Sequence, residues 1–239
     1  MTVKHAFINW SGGKDAAFCL YKIRQTSGFS IDYLLTSVSG AYNRISMHGV
    51  RKELLQEQAR AIDIPLQILY IPEQVDMQTY NQLMQVQLAE FSKKKLQYAV
   101  FGDIFLEDLR KYREEQLRTL GMKAVFPLWK KDTKGLIQEF LDEGFKAVIT
   151  CVNARVLDRS FAGREINANF LKDLPKGIDP CGENGEFHSF VYDGPIFKNI
   201  VKFTKGEIIE RTYPLPENKK ALWDNRFYFC DLLPLPPPQ

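Results

Sequence analysis

A glycine turn with a lysine follows the first apolar segment of the chain. The stretch INWSGGKDAAFCLYK, residues 8–22, places Gly12 and Gly13 between a strand-like run and a helix-like run. Such a turn presents unpaired backbone N–H groups at a helix N-terminus, where the helix dipole also favours an anion. Lys14 adds a positive charge, so the pattern predicts a phosphate site, with a plain tight turn as the alternative. The Walker A spacing and the GxGxxG fingerprint are both absent from this turn.

A second group of reactive side chains lies in the stretch CGENGEFHSF. Glu183, Glu186 and His188 fall within six residues and are flanked by glycines. Two carboxylates and an imidazole on a glycine-hinged loop ahead of a strand are suited to holding an amine, ammonia or a metal ion. A hairpin turn with exposed acids is the alternative interpretation.

The elements that must position these groups alternate in type through the first half of the chain. Strand-length apolar runs are separated by stretches with helical spacing, and this alternation predicts a parallel sheet covered on both faces. Met77, Tyr80, Met84, Leu88 and Phe91 recur at helical intervals and are expected to face the core. The predicted strands are 3–10, 31–38, 66–71, 98–104 and 124–128, with a helix over 107–120.

The pattern changes near residue 130, which predicts a first domain over 1–130 and a second domain over 131–239. The second domain is more mixed, with shorter strand-like segments. Its predicted elements are a helix over 133–143 and strands over 146–153, 187–192, 200–203, 208–213 and 226–233, before a proline-rich tail over 234–238 that is expected to be extended or frayed.

Composition excludes several classes of protein. Hydrophobic residues make up 45% of the 239 residues and charged residues 26%, as in ordinary globular proteins. No apolar run approaches the roughly 18 residues that a membrane span needs, and no secretion signal is visible, so we expect a cytoplasmic protein without a membrane partner. A net charge of +3 is too small to indicate a nucleic-acid partner. The four cysteines form no CxxC pair, so neither a zinc site nor a disulfide framework is indicated.

At the level of motifs, SGGKD after a first strand resembles the PP-loop of the ATP pyrophosphatases. The stretches SMHGVRKELLQEQA, FGDIFLEDLRKYREEQLRTLGMKAVFPLW and DPCGENGEFHSFVYDGPIF are similar to the diphthine–ammonia ligase family and its bacterial relatives, the N-type ATP pyrophosphatases. The resemblance covers residues 8 to about 197. It implies an α/β fold with a Rossmann-like, adenine nucleotide alpha hydrolase-like parallel sheet and a second, smaller α+β domain.

The resemblance also implies where ATP and Mg²⁺ bind. Magnesium prefers few carboxylates together with phosphate oxygens and water, and Asp15 and Asp103 are the acids that the motifs place for it, although Asp15 also suits helix capping. Ala16 stands where the PP-loop pattern has serine, so backbone donors must replace that hydroxyl. The ATP-binding residues are expected to be Ser11, Gly12, Gly13, Lys14, Asp15, Ala16, Thr36, Ser37 and Gly102.

Catalytic and acceptor-binding roles follow in the same way. Lys14, Asp103, Glu183 and Glu186 are the expected catalytic residues. For His48, a purely structural role is the alternative to a role in the site. For the charged face of the helix that contains Arg113, the alternative is a ladder of ion pairs on the protein surface. The expected acceptor-binding residues are His48, Arg51, Asp108, Arg113 and His188.

The implied reaction joins a carboxylate and ammonia, with ATP converted to AMP and pyrophosphate. The acceptor is either a small acid or diphthine on a translation elongation factor, and a homo-oligomer is left open. Two other functions remain. A tRNA-modifying PP-loop enzyme would be expected to bring a basic extension or a cysteine pair, and a non-catalytic nucleotide-binding regulator would not need the acidic loop.

Overall fold

The computed structural model describes residues 2–45, 48–73, 75–213 and 226–235. The first part of the chain forms one sheet with helices packed against it. Its strands are β1 (Lys4–Asn9), β2 (Phe29–Ser39), β3 (Arg44–Ile45), β4 (Leu66–Ile71), β5 (Tyr98–Val100) and β6 (Lys123–Val125). Its helices are α1 (Lys14–Gln25), α2 (Lys52–Ile62), α3 (Met77–Lys93) and α4 (Glu107–Arg118).

Five of these strands are parallel and run in the order β4-β2-β1-β5-β6, while β3 pairs antiparallel with the end of β2. The chain leaves β1 toward β2 and β4, then returns to place β5 on the other side of β1. The strand order therefore reverses between β1 and β5. Ligands of open α/β sheets collect at the carboxyl ends of the strands beside such a reversal, which here are the turn after Asn9 and the segment after Val100.

Apolar residues on both faces of β1 explain why this sheet is covered on each side. Ala6 and Ile8 belong to the core cluster that includes α1, while Phe7 belongs to the cluster beneath α3. The Phe7 and Phe91 rings lie 4.7 Å apart, centroid to centroid. A strand buried on both faces needs continuous apolar sequence, as the run from Ala6 to Ile8 provides.

The second part of the chain forms an antiparallel sheet from β7 (Lys146–Asn153), β8 (Phe187–Asp193), β9 (Phe203–Thr212) and β10 (Arg226–Pro234), in the order β8-β7-β10-β9. Together the two sheets confirm the predicted α/β class, with a mostly parallel, Rossmann-like sheet and a smaller mixed region. No helix in the described ranges has the length and apolar character needed to cross a membrane. The other elements of this part are α5 (Thr133–Asp142), a 3₁₀ turn (Arg159–Phe161) and α6 (Ala168–Asp173).

Two expectations about local structure are wrong. The predicted strand over 200–203 is not one, because β9 begins only at Phe203 and continues to Thr212. Met77 does not face the core, since it is the first residue of α3 and its side chain is 64% exposed. The buried stripe of α3 begins later, with Met84, Leu88 and Phe91. The last residues of the proline-rich tail, 236–239, lie outside the described residues.

One buried amide joins the two parts of the chain. The Gln58 side chain is fully buried, and its Nε2 donates to the carbonyls of Gly12 at 2.9 Å and Val191 at 2.6 Å. Its Oε1 accepts from the Trp10 indole N–H at 2.9 Å. The Val191 amide in turn donates to the Gly12 carbonyl at 2.9 Å. The turn after β1 is therefore fixed to β8 through hydrogen bonds that no solvent competes for.

We expect Gln58→Ala to lower the free energy of unfolding by about 2–4 kcal/mol, because three buried polar groups lose a partner and a cavity opens. Urea denaturation measures this change. The matched control is Gln56→Ala on the same helix, where the side chain is only partly buried and a change below about 0.5 kcal/mol is expected. Equal effects of the two variants would contradict the role assigned to Gln58.

Candidate nucleotide and acceptor site

The turn that follows β1 leaves helix α1 uncapped by its own sequence. Gly12 has a φ of +74°, and an added Cβ would lie 2.6 Å from Gln58 Oε1, so glycine is needed there for both conformation and space. Gly13 occupies the N-cap position and offers no side-chain acceptor. The amides of Asp15 and Ala16 therefore have no hydrogen-bond acceptor among the described residues, as expected of an anion site.

Two other amides of the turn are bonded to serine hydroxyls. The Gly13 amide donates to Ser11 Oγ at 3.3 Å, and the Lys14 amide donates to Ser189 Oγ at 3.1 Å. Ser189 belongs to β8, so the second sheet reaches directly onto the first turn of α1. A hydroxyl that accepts one hydrogen bond can still donate its own hydrogen, and these serines therefore add donors at the turn.

The charge predicted at the turn is present but buried. Lys14 is 4% exposed, and its Nζ lies 2.6 Å from Asp15 Oδ1. Burial alone would lower the pKa of Lys14, but the negative charges of Asp15 and Glu183 outweigh burial and raise this pKa above its usual value. The ammonium group is thus firmly charged at neutral pH. It is held by the protein, rather than extended into solvent.

The segment after β5 places a second carboxylate beside the turn. Arg113 Nε lies 2.8 Å from Asp103 Oδ2, and its guanidinium stacks over the Phe101 ring at 4.3 Å. The hydrogen-bond geometry is met only between Arg113 Nη2 and Asp103 Oδ1, at 3.2 Å, which leaves the buried Oδ2 without a hydrogen bond. Burial raises the pKa of Asp103 and Arg113 opposes that rise. The segment after β5 also lies close to the backbone of Asp15. Glycine at position 102 permits this, because a Cβ added to Gly102 would lie 2.9 Å from the Asp15 carbonyl.

The two acids of the glycine-hinged loop have different surroundings. Glu183 faces the turn, and burial together with the charge of Asp15 raises its pKa to about 7, with Lys14 opposing. Glu186 is 4% exposed and accepts hydrogen bonds within its own loop, from the amides of Asp179 at 3.0 Å and Asn184 at 2.8 Å. The contacts of Glu186 hold the loop together, whereas Glu183 has the shifted pKa of a group that can exchange a proton.

Two histidines from distant parts of the sequence meet at the same place. The rings of His48 and His188 lie 4.4 Å apart, centroid to centroid. His48 Cε1 would be 3.3 Å from a Cβ added to Gly13, so its ring lies against the turn. Burial lowers the pKa of His48 to about 4; a hydrogen bond to the Ser189 backbone opposes this shift, and the nearby Lys14 charge adds to it. Burial also lowers the pKa of His188, so both rings are neutral at pH 7.

Other predicted site residues lie apart from this centre or are already paired. Arg51 forms an ion pair with Asp231 of β10, with Nη2 and Oδ2 2.6 Å apart. Asp108 is exposed in the first turn of α4 and has no ion-pair partner within the described part of the chain. Thr36 is 2% exposed, and β2 continues past it and Ser37 to Ser39. The roles of these residues stay predictions.

Three residues that shape the site are not predicted from the sequence: Gln58, Ser189 and Asp231. Ser189 had a readable signal, since it is a polar residue inside the apolar run FHSFV and is 3% exposed in the structure. Gln58 and Asp231 had none, because their partners are 46 and 180 residues away. Contacts between residues so far apart in the sequence cannot be predicted from local sequence patterns.

A cavity of about 660 Å³ lies between the β2–β3 hairpin and strands β9 and β10. Its walls include Tyr42, Gly49, Tyr213 and Phe229, so it reaches the residue next to His48. None of the residues predicted for the site lines this cavity.

Fold and site together define a nucleotide-binding α/β protein of the PP-loop class, with uncapped amides and a lysine at the reversal of strand order. Residues 4–124 match a family model described as the diphthamide synthase N-terminal domain, and residues 132–227 match the diphthamide synthase C-terminal domain. The chain therefore belongs to the diphthamide synthase family, as the resemblance of its motifs predicted.

Individual relatives are similar at low identity. The chain is 25% identical over 229 residues to a diphthine–ammonia ligase of Schizosaccharomyces pombe, a match that covers 84% of this chain and 36% of the relative. It is 29% identical over 110 residues to that of Bos taurus, covering 44% and 41%. With that of Danio rerio it shares 30% identity over 105 residues, covering 40% of each chain. The matches thus span less than half of the length of each of these relatives.

The raised pKa of Glu183 predicts a specific dependence of stability on pH. The folded state holds this proton up to about pH 7, whereas the unfolded state releases it near pH 4.5, so folding stability falls as the pH rises between those values. Glu183→Gln removes this loss. We expect the variant to exceed the wild type in free energy of unfolding by about 1–3 kcal/mol at pH 8, with the gain declining as the pH falls below 7 and absent below about pH 4.5.

Denaturant unfolding at a series of pH values measures this difference. Glu115→Gln, an exposed position on α4, is the control and should leave the pH profile unchanged. A Glu183→Gln profile parallel to that of the wild type would show that Glu183 does not titrate as described.

Proposed function

We propose that the protein is an ATP-dependent, amide-forming ligase of the diphthine–ammonia ligase type. An acceptor carboxylate oxygen attacks the α-phosphorus of ATP, the bond to the β-phosphate breaks, and pyrophosphate leaves. Ammonia then attacks the acyl carbon, AMP leaves with the electron pair of the broken C–O bond, and the nitrogen releases a proton. The observation that supports this most strongly is the set of uncapped amides beside a buried lysine, beneath an acidic loop from the second sheet.

The turn supplies donors for the polyphosphate chain. The free amides of Asp15 and Ala16 point from the N-terminus of α1, and the Lys14 ammonium lies next to them. Fixed donors and charges of this kind stabilise the charge that develops on a leaving pyrophosphate without reorganising at the moment of reaction. We assign to Ser11 and Ser189 the hydroxyl contacts that Ala16 lacks.

The residues at the turn also fit a magnesium ion. Asp15 and Asp103 interact electrostatically, and Asp103 Oδ2 is buried without a hydrogen bond. A divalent cation shared between these carboxylates and phosphate oxygens suits the few-carboxylate coordination that Mg²⁺ prefers. When bound, Mg²⁺ would supply charge neutralisation for the phosphates. Arg113 supplies a second positive charge on the same carboxylate and keeps it oriented.

Glu183 is the proposed acceptor of the proton that ammonia releases. Its pKa of about 7 lets the carboxylate take up a proton at neutral pH. Glu186 keeps the loop in shape, and a direct catalytic part for it stays a prediction. The neutral rings of His48 and His188 can accept a hydrogen bond from ammonia or from an incoming amine without adding a repelling charge next to Lys14.

The acceptor is the least constrained part of the proposal. The relatives are named for diphthine, and we propose diphthine on a protein or another carboxylic acid as the acceptor, with ammonia either free or delivered by a partner. The loop of Glu183 and the pair of histidines come from both parts of the chain, so both parts contribute to acceptor choice.

Lys14→Met tests the phosphate assignment while keeping the buried volume of the side chain. We expect the dissociation constant for ATP to rise about 10- to 100-fold, because one charge contact to the phosphates is lost, equivalent to about 1.4–2.8 kcal/mol. Calorimetric titration with ATP measures this change. Lys134→Ala, at an exposed position on α5, is the control. Unchanged affinity in a folded Lys14→Met protein would contradict the assignment.

The reaction itself is tested by assaying AMP and pyrophosphate release from ATP with ammonium and candidate carboxylic acids. Equal amounts of AMP and pyrophosphate, dependent on both acid and ammonium, are expected. Tight ATP binding without turnover on any acceptor would favour the regulator, and sulfur- or tRNA-dependent turnover would favour a tRNA-modifying enzyme.

A further inference from the structure

A carboxylate on the last described strand holds both ends of the loop that carries His48. His48 lies between Arg44 of β3 and Arg51 at the start of α2 in a loop whose residues 46 and 47 are outside the described residues. Arg44 and Arg51 form an isolated antiparallel bridge. Asp231 Oδ1 accepts from Arg44 Nη1 at 2.7 Å and from Arg51 Nε at 3.1 Å, while Oδ2 accepts from Arg51 Nη2 at 2.6 Å. Two guanidinium groups on one carboxylate, one of them bidentate, form a directional clamp.

The clamp extends to the residue that follows His48. Arg44 Nη1 also donates to the Gly49 carbonyl at 2.7 Å. Gly49 has a φ of +68°, and an added Cβ would lie 2.8 Å from the Phe229 ring. Strand β10 therefore contacts the loop twice, through Phe229 and through Asp231, on the C-terminal side of the histidine.

The local structure of the second sheet directs Asp231 toward this loop. The register between β9 and β10 shifts between Cys230 and Leu232, so that Gly206 and Glu207 of β9 face a single residue, Asp231. The extra residue of this bulge lies on β9, and a bulge increases the local twist of the strand pair at the position where Asp231 lies. The Asp231 side chain is 22% exposed, and the two arginines hold its pKa low, at about 2, so it is ionised at neutral pH.

The clamp fixes the position of the His48 imidazole against the glycine turn. His48 lies against Gly13 and stacks on His188 at 4.4 Å. The ring also forms a hydrogen bond with the Ser189 backbone, whereas its Nδ1 is buried without a hydrogen-bond partner in the described residues. On the Nδ1 side, the position of the ring therefore depends on how the ends of its loop are held.

We infer that Asp231 is a positioning residue for the reaction: it fixes, through Arg44 and Arg51, the loop that places His48 beside the phosphate turn. The inference rests on the proposed function for its catalytic consequence, but the placement of His48 can be measured without any activity. Asp231 itself touches neither the turn nor the acidic loop in the contacts described above. Its effect must therefore pass through the loop.

The test is histidine titration by NMR on the full chain, with Asp231→Ala and Asp231→Glu compared with the wild type. The chain has three histidines, and His5→Gln and His188→Gln variants assign the Cε1–H signals. The charged or titratable groups that face His48 are Lys14 from α1 and His188 from β8, with Arg44 and Arg51 on its own loop. In the wild type the His48 signal should stay that of a neutral ring down to about pH 5.

In Asp231→Ala we expect the His48 pKa to rise toward 6.5 and the nuclear Overhauser contact between His48 and His188 to weaken. The direction of the change in the His48 pKa is diagnostic. Loss of the Asp231 negative charge alone would lower this pKa, and only release of the ring to water raises it. Asp231→Glu, which keeps the carboxylate, should restore most of the wild-type behaviour. Asp193→Ala is the control, since it removes another ion pair of the same sheet, with Lys146 at 2.9 Å, away from the loop.

The inference is overturned if folded Asp231→Ala keeps the wild-type His48 titration and the His48–His188 contact, or if Asp193→Ala changes them equally. If the proposed reaction also holds, Asp231→Ala should lower kcat for AMP formation about 10- to 100-fold with the ATP dissociation constant within twofold. An unchanged kcat would overturn the catalytic consequence. Absence of AMP formation in the wild type would instead refute the proposed function, and the NMR result would still decide the positioning of His48.

Discussion

The attachment of strand β8 to the glycine turn is the constraint on which the site depends. The Val191 amide and the Gln58 side chain both donate hydrogen bonds to the Gly12 carbonyl. The Ser189 hydroxyl accepts a hydrogen bond from the Lys14 amide. A parallel sheet alone would leave the turn open to solvent. With β8 in place, the loop that precedes β8 must lie over the first turn of α1, and the acidic residues of the second part of the chain enter the electrostatic field of Lys14.

Burial, together with the charges around Lys14, explains why the titratable groups of the site have shifted pKa values. A buried ammonium group is tolerable only with carboxylates nearby, and Asp15 and Glu183 provide them. The same burial makes Glu183 reluctant to ionise and keeps the two histidines neutral. A negatively charged polyphosphate would neutralise part of the Lys14 charge that Asp15 and Glu183 neutralise in the free protein. Proton uptake by Glu183 would then be linked to the phosphates, a coupling that suits a reaction which first releases pyrophosphate and then a proton.

Many elements of both sheets could be predicted from sequence, because their signals are local. The continuous apolar run of β1 and the glycines that end it mark a buried strand and a turn, and helix α5 and strand β7 were expected within a residue of their observed bounds. The glycine turn and the acidic loop were also recognised, since each is a short cluster of unusual composition. Their being brought together depends on pairing between residues 12 and 191, which no local pattern encodes.

The errors have the same physical origin. Met77 fits the helical period of α3, but it is the first residue of that helix and its exposure shows that nothing in the described residues covers it. The environment of Glu186 could not be predicted from sequence either, because Glu183 and Glu186 lie three residues apart in one loop and only the folded loop decides which of them accepts backbone amides. Tertiary contacts, rather than composition, decide which acid of such a loop remains available for chemistry.

The most direct test of this account is a crystal structure with a nonhydrolysable ATP analogue and Mg²⁺. The account predicts phosphate oxygens within hydrogen-bond distance of the Asp15 and Ala16 amides, the Lys14 ammonium in contact with them, and the Glu183 loop over the α-phosphate. A nucleotide bound elsewhere, with the turn still closed by Ser11 and Ser189 alone, would contradict it.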